Sequence, residues 1–392
     1  MENKYKDEVN ICDHYDLCGG CSSLDVPYQK QIEQKKEKVK SYYLDNEIME
    51  FPLSKVVESL NIYEYRNHME LSFGDLEIGG KLQLGLHPRG KRYEVVTIDG
   101  CYLIDKDFRK IIRTMIDYFR NTDFKKYHIK LREGYLRNVK LRKGVNTGEI
   151  LINLITTSQR DPDLSDLVNK LKNLEYKDEL IGIIHTINDD FADAVKVDEV
   201  RTYYGRNFFY EKLLDYKFKI SPLDFFQVNT KTAEKLYKII IDHIKESKDE
   251  TVYDLYSGTG SIAQLISPYV KKVIGIELDK SAVKQARANL QLNNIDNCEF
   301  IQGDVREILK NKKEPVKKVI VDPPRPGLHS EVIKSIIDIY PNEIIYVSCN
   351  PKTQAEDLKK LLYNNYHIED IKLVDMFPHT SHIESVAHIV KD

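Results

Sequence analysis

From about Tyr216 onward, the sequence alternates short apolar runs with segments of helical periodicity. The apolar runs are TVYDLY, KKVIGIEL, CEFIQGD, KKVIVDPP and EIIYVSC. This alternation is typical of βαβ units in a doubly wound parallel sheet. Because such open sheets bind ligands beyond the carboxyl ends of their strands, the residues that directly follow each strand are the candidates for chemistry. We therefore predict an α/β fold with its functional site along this edge.

The turn after the first of these strands, DLYSGTGSIA, is rich in glycine. Gly258, Gly260 and Ala263 fit the pattern G-x-G-x-x-[GA], and Glu277 ends the next strand roughly 20 residues further on. Glycines let the backbone approach a ligand closely, and the Glu277 carboxylate suits a ribose diol. The same pattern occurs in dinucleotide enzymes, in S-adenosylmethionine (SAM) enzymes and in turns that only pack a helix on a sheet.

Two further carboxylates favour SAM over a dinucleotide. Asp254 precedes the glycines on the first strand, where it would lie near the methionine end of SAM. Asp304 ends the third strand, where it would lie near an adenine amino group. These positions predict a Rossmann-like SAM methyltransferase domain.

Cys349 ends the fifth strand in YVSCNPKTQ, and Asp322 ends the fourth in VIVDPPRPG. In a doubly wound order these two strand ends are neighbours. A lone cysteine is more often a buried core residue. A thiolate here would have a use, however, because C5 of uracil attacks a methyl donor only after a nucleophile has added to C6. A D-P-P-[YF] loop would indicate methylation of an exocyclic amine, and Arg325 at the fourth position weakens that interpretation.

Methylation at C5 also requires a base that removes the C5 proton. Glu384 lies between DMFPHTSHI and the last predicted strand, SVAHIVK. A partly desolvated glutamate has a raised pKa and can accept a proton near neutral pH. Glu384 is therefore a candidate base, although its pattern alone does not distinguish it from other loop carboxylates.

The first half of the chain has a different character. HMELSFG, LQLGLHP, YEVVTID and GEILINLIT alternate in a strand-like way, and DKDFRKIIRTMIDYF between them has helical periodicity. We predict an α+β domain with an antiparallel sheet over residues 26–215, followed by the methyltransferase domain over residues 216–392.

Three of the six cysteines lie close together in CDHYDLCGGC, at Cys12, Cys18 and Cys21, and Cys101 follows in IDGCYLID. In a cytoplasmic chain, such groups indicate metal or catalytic roles rather than disulfides. Four thiolates suit zinc or an iron–sulfur cluster. The spacing matches neither the paired C-x-x-C motifs of zinc ribbons nor the radical-SAM motif. Cys298 is expected in the core.

The bulk charge gives little support to nucleic-acid binding. The net charge is −3, so any such role depends on local basic stretches: HPRGKRY (His87–Tyr93), LRNVKLRKG (Leu136–Gly144) and the lysine-rich 30–40. The start, MENKYKDEVN, is charged, and no apolar run approaches the ~18 residues of a membrane helix. We expect a cytoplasmic protein that does not contact a membrane and has no obligate protein partner.

The chain resembles the RumA-type RNA uridine C5-methyltransferases. The resemblance rests on FFQVN (Phe225–Asn229), DLYSGTG, DPPRPGL, VSCNP and DMFPHTSHIE, and YRNHMELSFG (Tyr65–Gly74) extends it into the first half. It implies SAM-dependent methylation of C5 of a uridine in RNA, which we expect to be 23S rRNA, with the T-loop uridine of tRNA as the alternative. It implies that Cys349 is the nucleophile and Glu384 the base. The residues that it implies for the SAM and uracil sites are Gln227, Asp254, Tyr256, Gly258, Gly260, Ser261, Glu277, Asp304 and Asp322.

The resemblance has three further implications. It implies a [4Fe–4S] cluster on Cys12, Cys18, Cys21 and Cys101, with residues 1–25 as an iron–sulfur segment. Similar RNA cytosine C5-enzymes have a second cysteine in the fourth-strand motif, and its absence from DPPRPG favours uracil. Many relatives carry a small β-barrel RNA-binding domain ahead of the cysteines. We expect none here, so RNA is expected to bind the central domain.

Two other functions stay open at this point. One is a metal-stabilised RNA-binding protein whose methyltransferase half is inactive, and the other is an amine methylase that does not depend on Cys349.

Overall fold

The computed structural model describes residue 9 and residues 11–190, 198–311 and 316–392. Over this part of the chain, strands form two seven-stranded sheets and a two-stranded hairpin. A long helix, α1 (Tyr28–Asp45), precedes the first strand. No helix within the described ranges is both long enough and apolar enough to cross a membrane.

The first sheet is covered on one face by two helices. Its elements are β1 (His68–Asp75), β2 (Leu82–Leu86), β3 (Val96–Thr97), α2 (Lys106–Arg120), β4 (Leu136–Gly144), β5 (Glu149–Thr156), α3 (Ser165–Lys172), β6 (Glu179–Ile187) and β7 (Glu199–Gly205). The strand order is β3-β2-β1-β4-β5-β6-β7, and only β5 and β6 pair in parallel. Leu71 and Ile152 are fully buried beneath the helices. Asp105 caps α2 by accepting a hydrogen bond from Phe108 N, an amide without a partner inside the helix.

The second sheet follows the hairpin and one helix. The elements are β8 (Phe209–Leu213), β9 (Tyr216–Ile220), α4 (Thr230–Ile244), β10 (Thr251–Leu255), α5 (Ser261–Ile266), a 3-10 turn (Ser267–Tyr269), β11 (Lys272–Glu277), α6 (Lys280–Leu292), β12 (Cys298–Gln302), α7 (Val305–Lys310), β13 (Lys318–Val321), α8 (Ser330–Ile339), β14 (Glu343–Ser348), α9 (Pro351–Leu362), β15 (Tyr366–Val374) and β16 (Glu384–Lys391). The order is β12-β11-β10-β13-β14-β16-β15. The first five strands are parallel, and β16 is inserted antiparallel between β14 and β15. This confirms the predicted α/β architecture.

Successive side chains of the second sheet enter two separate buried layers. On β14, Ile344 and Tyr346 pack with α1, α8 and α9, whereas Ile345 and Val347 pack with α4, α5 and α6. We call the second of these the α4 face. Parallel strands that are covered on both faces have continuous apolar sequences, which explains why these strands were predictable.

Helix α1 packs on the second sheet although it precedes the first sheet in the chain. Ile32 and Tyr43 belong to the buried layer opposite the α4 face. The following segment runs beside β15, with a hydrogen bond from Val57 N to Leu373 O of 2.8 Å. The predicted central region, residues 26–215, thus contributes its first helix to the core of the second sheet.

Candidate active site

Four of the predicted site residues lie on the α4 face, at the end of the second sheet where the parallel strands finish. Because side chains alternate along a strand, residues two positions apart share a face. Each of the four is two positions from a residue buried on that face: Asp254 from Val252, Asp322 from Ile320, Cys349 from Val347, and Glu384 from Val386. The sheet therefore gathers three carboxyl groups and a thiol from four strands.

Cys349 and Glu384 face each other across β14 and β16. The last paired residues at this end are Ser348 and Ser385, so the next position along each strand brings Cys349 opposite Glu384. Cys349 is partly exposed, whereas Glu384 is only 4% exposed. The register of the sheet thus places an accessible thiol opposite a buried carboxyl group.

The DPPRPG loop brings a cation to the thiol. The Arg325 guanidinium lies near enough to Cys349 to lower the pKa of the thiol, in opposition to the larger effect of burial. The carbonyl of Arg325 accepts hydrogen bonds from Asn350 Nδ2 at 2.9 Å and Thr353 Oγ1 at 3.2 Å. At the start of the loop, Asp322 N donates to Leu255 O at 3.3 Å. The loop is therefore anchored to the neighbouring strand and to the beginning of α9.

Burial and mutual repulsion raise the pKa values of the acids on this face. Burial, followed by the charge of Asp322, raises the pKa of Glu384 to about 8, and Arg325 opposes this shift. Burial raises the pKa of Asp322 to about 7, and burial with the charge of Asp322 raises the pKa of Asp254 to about 8. Burial and the charges of Glu384 and Asp322 also raise the pKa of the Cys349 thiol. Arg325 lowers this pKa, but by less. A cationic ligand would relieve this repulsion.

Asp254 has one oxygen that lacks a partner. Its Oδ2 accepts a hydrogen bond from Ala263 N at 3.1 Å, whereas Oδ1 is buried without a hydrogen bond. A buried polar atom left without a partner costs about 1–3 kcal/mol. The ammonium group of a methionine-like ligand is a donor that fits this position, so the residues present are compatible with SAM.

The two glycines of the turn have different surroundings: Gly260 is closely packed, whereas Gly258 faces open space. Gly258 and Gly260 have left-handed φ angles of 52° and 78°. A Cβ atom at Gly260 would lie 2.4 Å from the Phe300 ring, whereas one at Gly258 would meet open space. Gly258 N donates to Glu277 Oε2 at 3.0 Å, and Asp279 N donates to Glu277 Oε1 at 2.8 Å. The predicted ribose-binding carboxylate is therefore fixed beside the turn.

Three other predicted residues surround this turn. Asp304 caps α7 by accepting a hydrogen bond from Arg306 N at 2.9 Å, and hydrogen bonds from Arg306 lower the pKa of Asp304. Tyr256 has a left-handed φ of 63°, and burial, with Asp304 as the next cause, raises its pKa to about 12. Ser261 is the first residue of α5.

FFQVN joins the first sheet to the site. The Gln227 carbonyl accepts a hydrogen bond from Asn67 Nδ2 at 2.8 Å, and Asn67 N donates to Val228 O at 2.9 Å. Phe225 in the same stretch is 76% exposed. The motif YRNHMELSFG, which contains Asn67, thus positions the loop that contains Gln227.

Tyr237 of α4 lies among the site carboxyl groups and was missed by the sequence analysis. It is 5% exposed, and Ser261 lowers its pKa slightly against larger opposing effects. Burial and the negative charges of Asp322, Glu384 and Asp254 raise its pKa. In EKLYKIII its spacing is that of an apolar helix face, so the sequence contains no signal that separates it from a core residue.

The four cysteines predicted as ligands line one cavity together with Arg66: Cys12, Cys18, Cys21 and Cys101. Burial and the neighbouring thiols raise the pKa of Cys21 to about 12. Gly20 N donates to Cys18 Sγ at 3.3 Å. Among the residues that the structure describes, no group of three or more His, Cys, Asp or Glu side chains could hold a single metal ion as it stands. The thiols therefore share one space without converging on one point.

The sequence is similar to a methyltransferase family model and to individual RNA methyltransferases. The sequence model of the tRNA (uracil-5-)-methyltransferase family matches residues 27–392. An uncharacterized RNA methyltransferase of Clostridium tetani is 48% identical over 382 residues, which cover 97% of this chain and 84% of the relative. One from Clostridium acetobutylicum is 46% identical over 375 residues, which cover 96% and 82% of the two chains.

A solved structure shares the fold over nearly the whole chain. It is the tRNA (uracil-54, C5)-methyltransferase of Pyrococcus abyssi in complex with S-adenosyl-L-homocysteine. The match has a TM-score of 0.78 and 31% sequence identity, and it covers 95% of this chain and 86% of the other. The chain therefore belongs to the tRNA (uracil-5-)-methyltransferase family, and it is a SAM-dependent RNA methyltransferase.

Proposed function

We propose that this enzyme methylates C5 of a uridine in RNA through a transient covalent bond between Cys349 and C6 of the uracil. The observation that carries the proposal is the position of Cys349 opposite Glu384, across β14 and β16. Arg325, from the neighbouring loop, opposes the rise in the pKa of the same thiol. One face of the sheet thus supplies a thiol, a base and a cation, which are the groups that this chemistry requires.

Cys349 acts first, as the nucleophile. Its thiolate forms a bond to C6, and the electron pair of the C5–C6 double bond makes C5 nucleophilic. SAM, when bound, would supply the methyl group: C5 forms a bond to the methyl carbon, and the bond from that carbon to the SAM sulfur breaks. Only a few per cent of a free thiol is ionised near pH 7. Arg325 is therefore expected to stabilise the Cys349 thiolate.

Glu384 acts second, as the general base. Its carboxylate accepts the C5 proton, the C5–H electron pair restores the C5–C6 double bond, and the Cys349 thiolate leaves from C6. A base works best when its pKa lies near the working pH. The pKa of Glu384, raised by burial to about 8, is suited to this step.

We assign SAM binding to the glycine turn and the strand ends around it. The free oxygen of Asp254 suits the methionine ammonium, and Glu277, fixed beside Gly258, suits the ribose. Asp322 is placed to contact either SAM or the target base. The proposed set is Gln227, Asp254, Tyr256, Gly258, Gly260, Ser261, Glu277, Asp304 and Asp322.

We also propose that Cys12, Cys18, Cys21 and Cys101 hold a [4Fe–4S] cluster. The four thiols line one cavity, and four cysteine thiolates are the usual ligands of such a cluster. A cluster would connect the N-terminal segment to the first sheet through Cys101. Anaerobically purified protein should be brown, with about four iron and four sulfide ions per chain. A colourless protein with one zinc ion would contradict this assignment.

We propose 23S rRNA as the source of the target uridine, supported by the four-cysteine segment that resembles the rRNA-modifying branch. The T-loop uridine of tRNA is the second candidate, supported by the likeness to the Pyrococcus abyssi enzyme. Mapping 5-methyluridine in total RNA from cells with and without the gene distinguishes the two. A site lost from 23S rRNA supports the first target, and a site lost from the T loop supports the second.

The covalent step is tested with RNA that contains 5-fluorouridine at the mapped position. Because fluorine at C5 cannot leave as a proton, elimination is blocked and a protein–RNA adduct that survives denaturation should accumulate. No adduct under conditions where the RNA still binds would contradict a covalent bond to Cys349.

A further inference from the structure

The segment that carries the cysteines also contacts the loop that presents Glu384. This loop, residues 375–383, joins β15 to β16 and ends directly before Glu384. Ser22 N and Ser23 N, which follow Cys21, both donate to the carbonyl of His379, at 2.9 and 3.2 Å. The backbone next to the four-cysteine cavity is thus hydrogen-bonded to the middle of the β15–β16 loop.

Gln31 of α1 connects the same two parts of the molecule through its side chain. It is only 1% exposed. Its Nε2 donates to Ser23 O at 2.9 Å and to Val26 O at 2.7 Å, and it lies 3.1 Å from His379 Nδ1. Its Oε1 accepts a hydrogen bond from His379 N at 2.9 Å. One buried amide group therefore fixes both the cysteine segment and the β15–β16 loop.

Further contacts hold the loop from the same side. Lys35 of α1 binds Asp375 Oδ1 at 2.6 Å and the carbonyl of Phe377 at 3.0 Å. Both side chains of this ion pair are at most 5% exposed. The loop is thus anchored where it leaves β15 as well as at His379.

The aromatic contacts extend from the loop back to the cysteine cavity. The Tyr63 ring stacks on His379 with the ring centroids 4.8 Å apart. Tyr63 also meets the edge of Tyr102, which directly follows Cys101. The cavity and the loop are therefore parts of one packed unit.

The conformation of the loop needs this support. His379 has a left-handed φ of 66°, which is unfavourable for a residue with a side chain. A strained residue persists only where its surroundings determine its conformation. Gln31, Ser22 and Ser23 supply those surroundings.

We propose that Gln31 is a positioning residue for Glu384, and that through it the four-cysteine centre sets the position of the base. The inference rests on the proposed function, in which Glu384 removes the C5 proton after methyl transfer. If Gln31 no longer holds the loop, Cys349 still adds to C6 and C5 still receives the methyl group. The C5–H bond then breaks slowly, so the bond between Cys349 Sγ and C6 persists.

The test compares anaerobically purified Gln31→Met with Glu384→Gln on RNA that contains the ordinary target uridine. Methionine keeps the length of the side chain and removes its four polar contacts. We expect turnover to fall about 100-fold, the scale of a base misplaced by about an ångström. A methylated protein–RNA adduct should accumulate in both variants. A stability defect alone would lower turnover without this adduct.

Gln285→Met is the matched control. Gln285 lies on α6, away from the β15–β16 loop, and its Nε2 donates to the carbonyl of Lys219 at 2.7 Å. This variant should therefore turn over as fast as the wild type and accumulate no adduct. With 5-fluorouridine RNA, Gln31→Met should form adduct as fast as the wild type, because that adduct does not need the base. This result would also show that the variant is folded.

A second readout does not depend on activity. In Cys21→Ser, amide hydrogen exchange of residues 375–383 should become faster, while exchange in α6 stays unchanged. Unchanged exchange in the loop would overturn the connection to the cysteine centre.

The outcomes separate the two hypotheses. Adduct in Glu384→Gln but not in Gln31→Met, or full turnover in Gln31→Met, overturns the positioning role alone. No adduct in Glu384→Gln, with turnover lost, overturns Glu384 as the base and the inference with it.

Discussion

Two regions of the molecule that are proposed to use thiols differ in their surroundings. Cys349 stands alone at the end of β14, beside Arg325 and across from Glu384. In the other region, four thiols face one another around a cavity, with Arg66 in its lining. Burial raises the pKa of Cys349 and of Cys21 alike.

The groups that complete each region explain the difference in chemistry. A single thiolate with one adjacent cation can be formed and then released from a substrate, which suits a nucleophile. Neighbouring thiolates repel one another, so four of them are stable together only when metal ions lie among them. Such an arrangement suits metal ligands. The same residue type is therefore proposed for two roles, which depend on its neighbours.

The strongest test of this comparison removes the solitary thiol. Cys349→Ala should lower turnover by about 10⁴-fold or more, as loss of a nucleophile does, while SAM binding measured by calorimetry stays near that of the wild type. Cys298→Ala, which removes a half-buried thiol packed on the α4 face, should change turnover by less than about threefold. Full activity of Cys349→Ala would contradict the division between the two regions.

The reaction should depend steeply on pH, because Cys349 and Glu384, the proposed catalytic pair, are active only when deprotonated. The pKa of Glu384 is raised to about 8 and that of the Cys349 thiol is raised as well, so below pH 8 both groups must lose a proton and kcat/KM should fall about 100-fold per pH unit. A bound cation lowers the pKa values of nearby carboxyl groups. The fall in kcat should therefore begin at a lower pH than the fall in kcat/KM. A flat profile between pH 6 and 8 would contradict Glu384 as the base.

A serine substitution in the four-cysteine region tests the proposed metal-binding role. Cys101→Ser should lose iron and lower the Tm by roughly 5–10 °C, because a ligand that binds only the folded state stabilises it. Cys349→Ser should retain the full iron content and a Tm near that of the wild type. Iron analysis with calorimetry compares the two variants directly. Loss of iron from Cys349→Ser would contradict the separation of roles.

The smallest expected effects distinguish the two glycines of the turn. Gly260→Ala should lower the free energy of unfolding by about 1–2 kcal/mol for the left-handed backbone. The Phe300 ring, 2.4 Å from the new Cβ, should add to this loss. Gly258→Ala meets open space and should cost only the backbone term. Urea unfolding of both variants measures the difference, and equal values would contradict the packing explanation.

Much of the second sheet could be predicted because its strands are buried on both faces. TVYDLY, KKVIGIEL and EIIYVSC are continuous apolar runs, and each proved to be a central strand. The neighbouring positions of Asp322 and Cys349 followed from the doubly wound order. The pairing of Cys349 with Glu384 could not be predicted, because it requires β16 to lie between β14 and β15.

The packing of α1 on the second sheet could not be predicted from the sequence, and the reason is physical. Its sequence is polar on most faces, and the stripe that packs on the second sheet includes Gln31 and Lys35 as well as Ile32 and Tyr43. The two polar residues are buried because His379 and Asp375 satisfy them. Since those partners lie more than 300 residues further along the chain, no local pattern could reveal that these positions belong to a core.

The insertion of β16 has a consequence for how the enzyme becomes active during folding. Until β16 is in place, β14 and β15 each have an unpaired edge; β16 directly follows β15 in the chain, but it must also reach β14, from which α9 and β15 separate it. An open edge next to apolar strands is also a site where chains can associate wrongly. Because Glu384 is the first residue of β16, the step that protects these edges also brings the proposed base to the site. A chain in which β16 has not yet paired therefore has Cys349 without its proposed base, which is the condition under which the bond between Cys349 Sγ and C6 of the uracil is expected to persist.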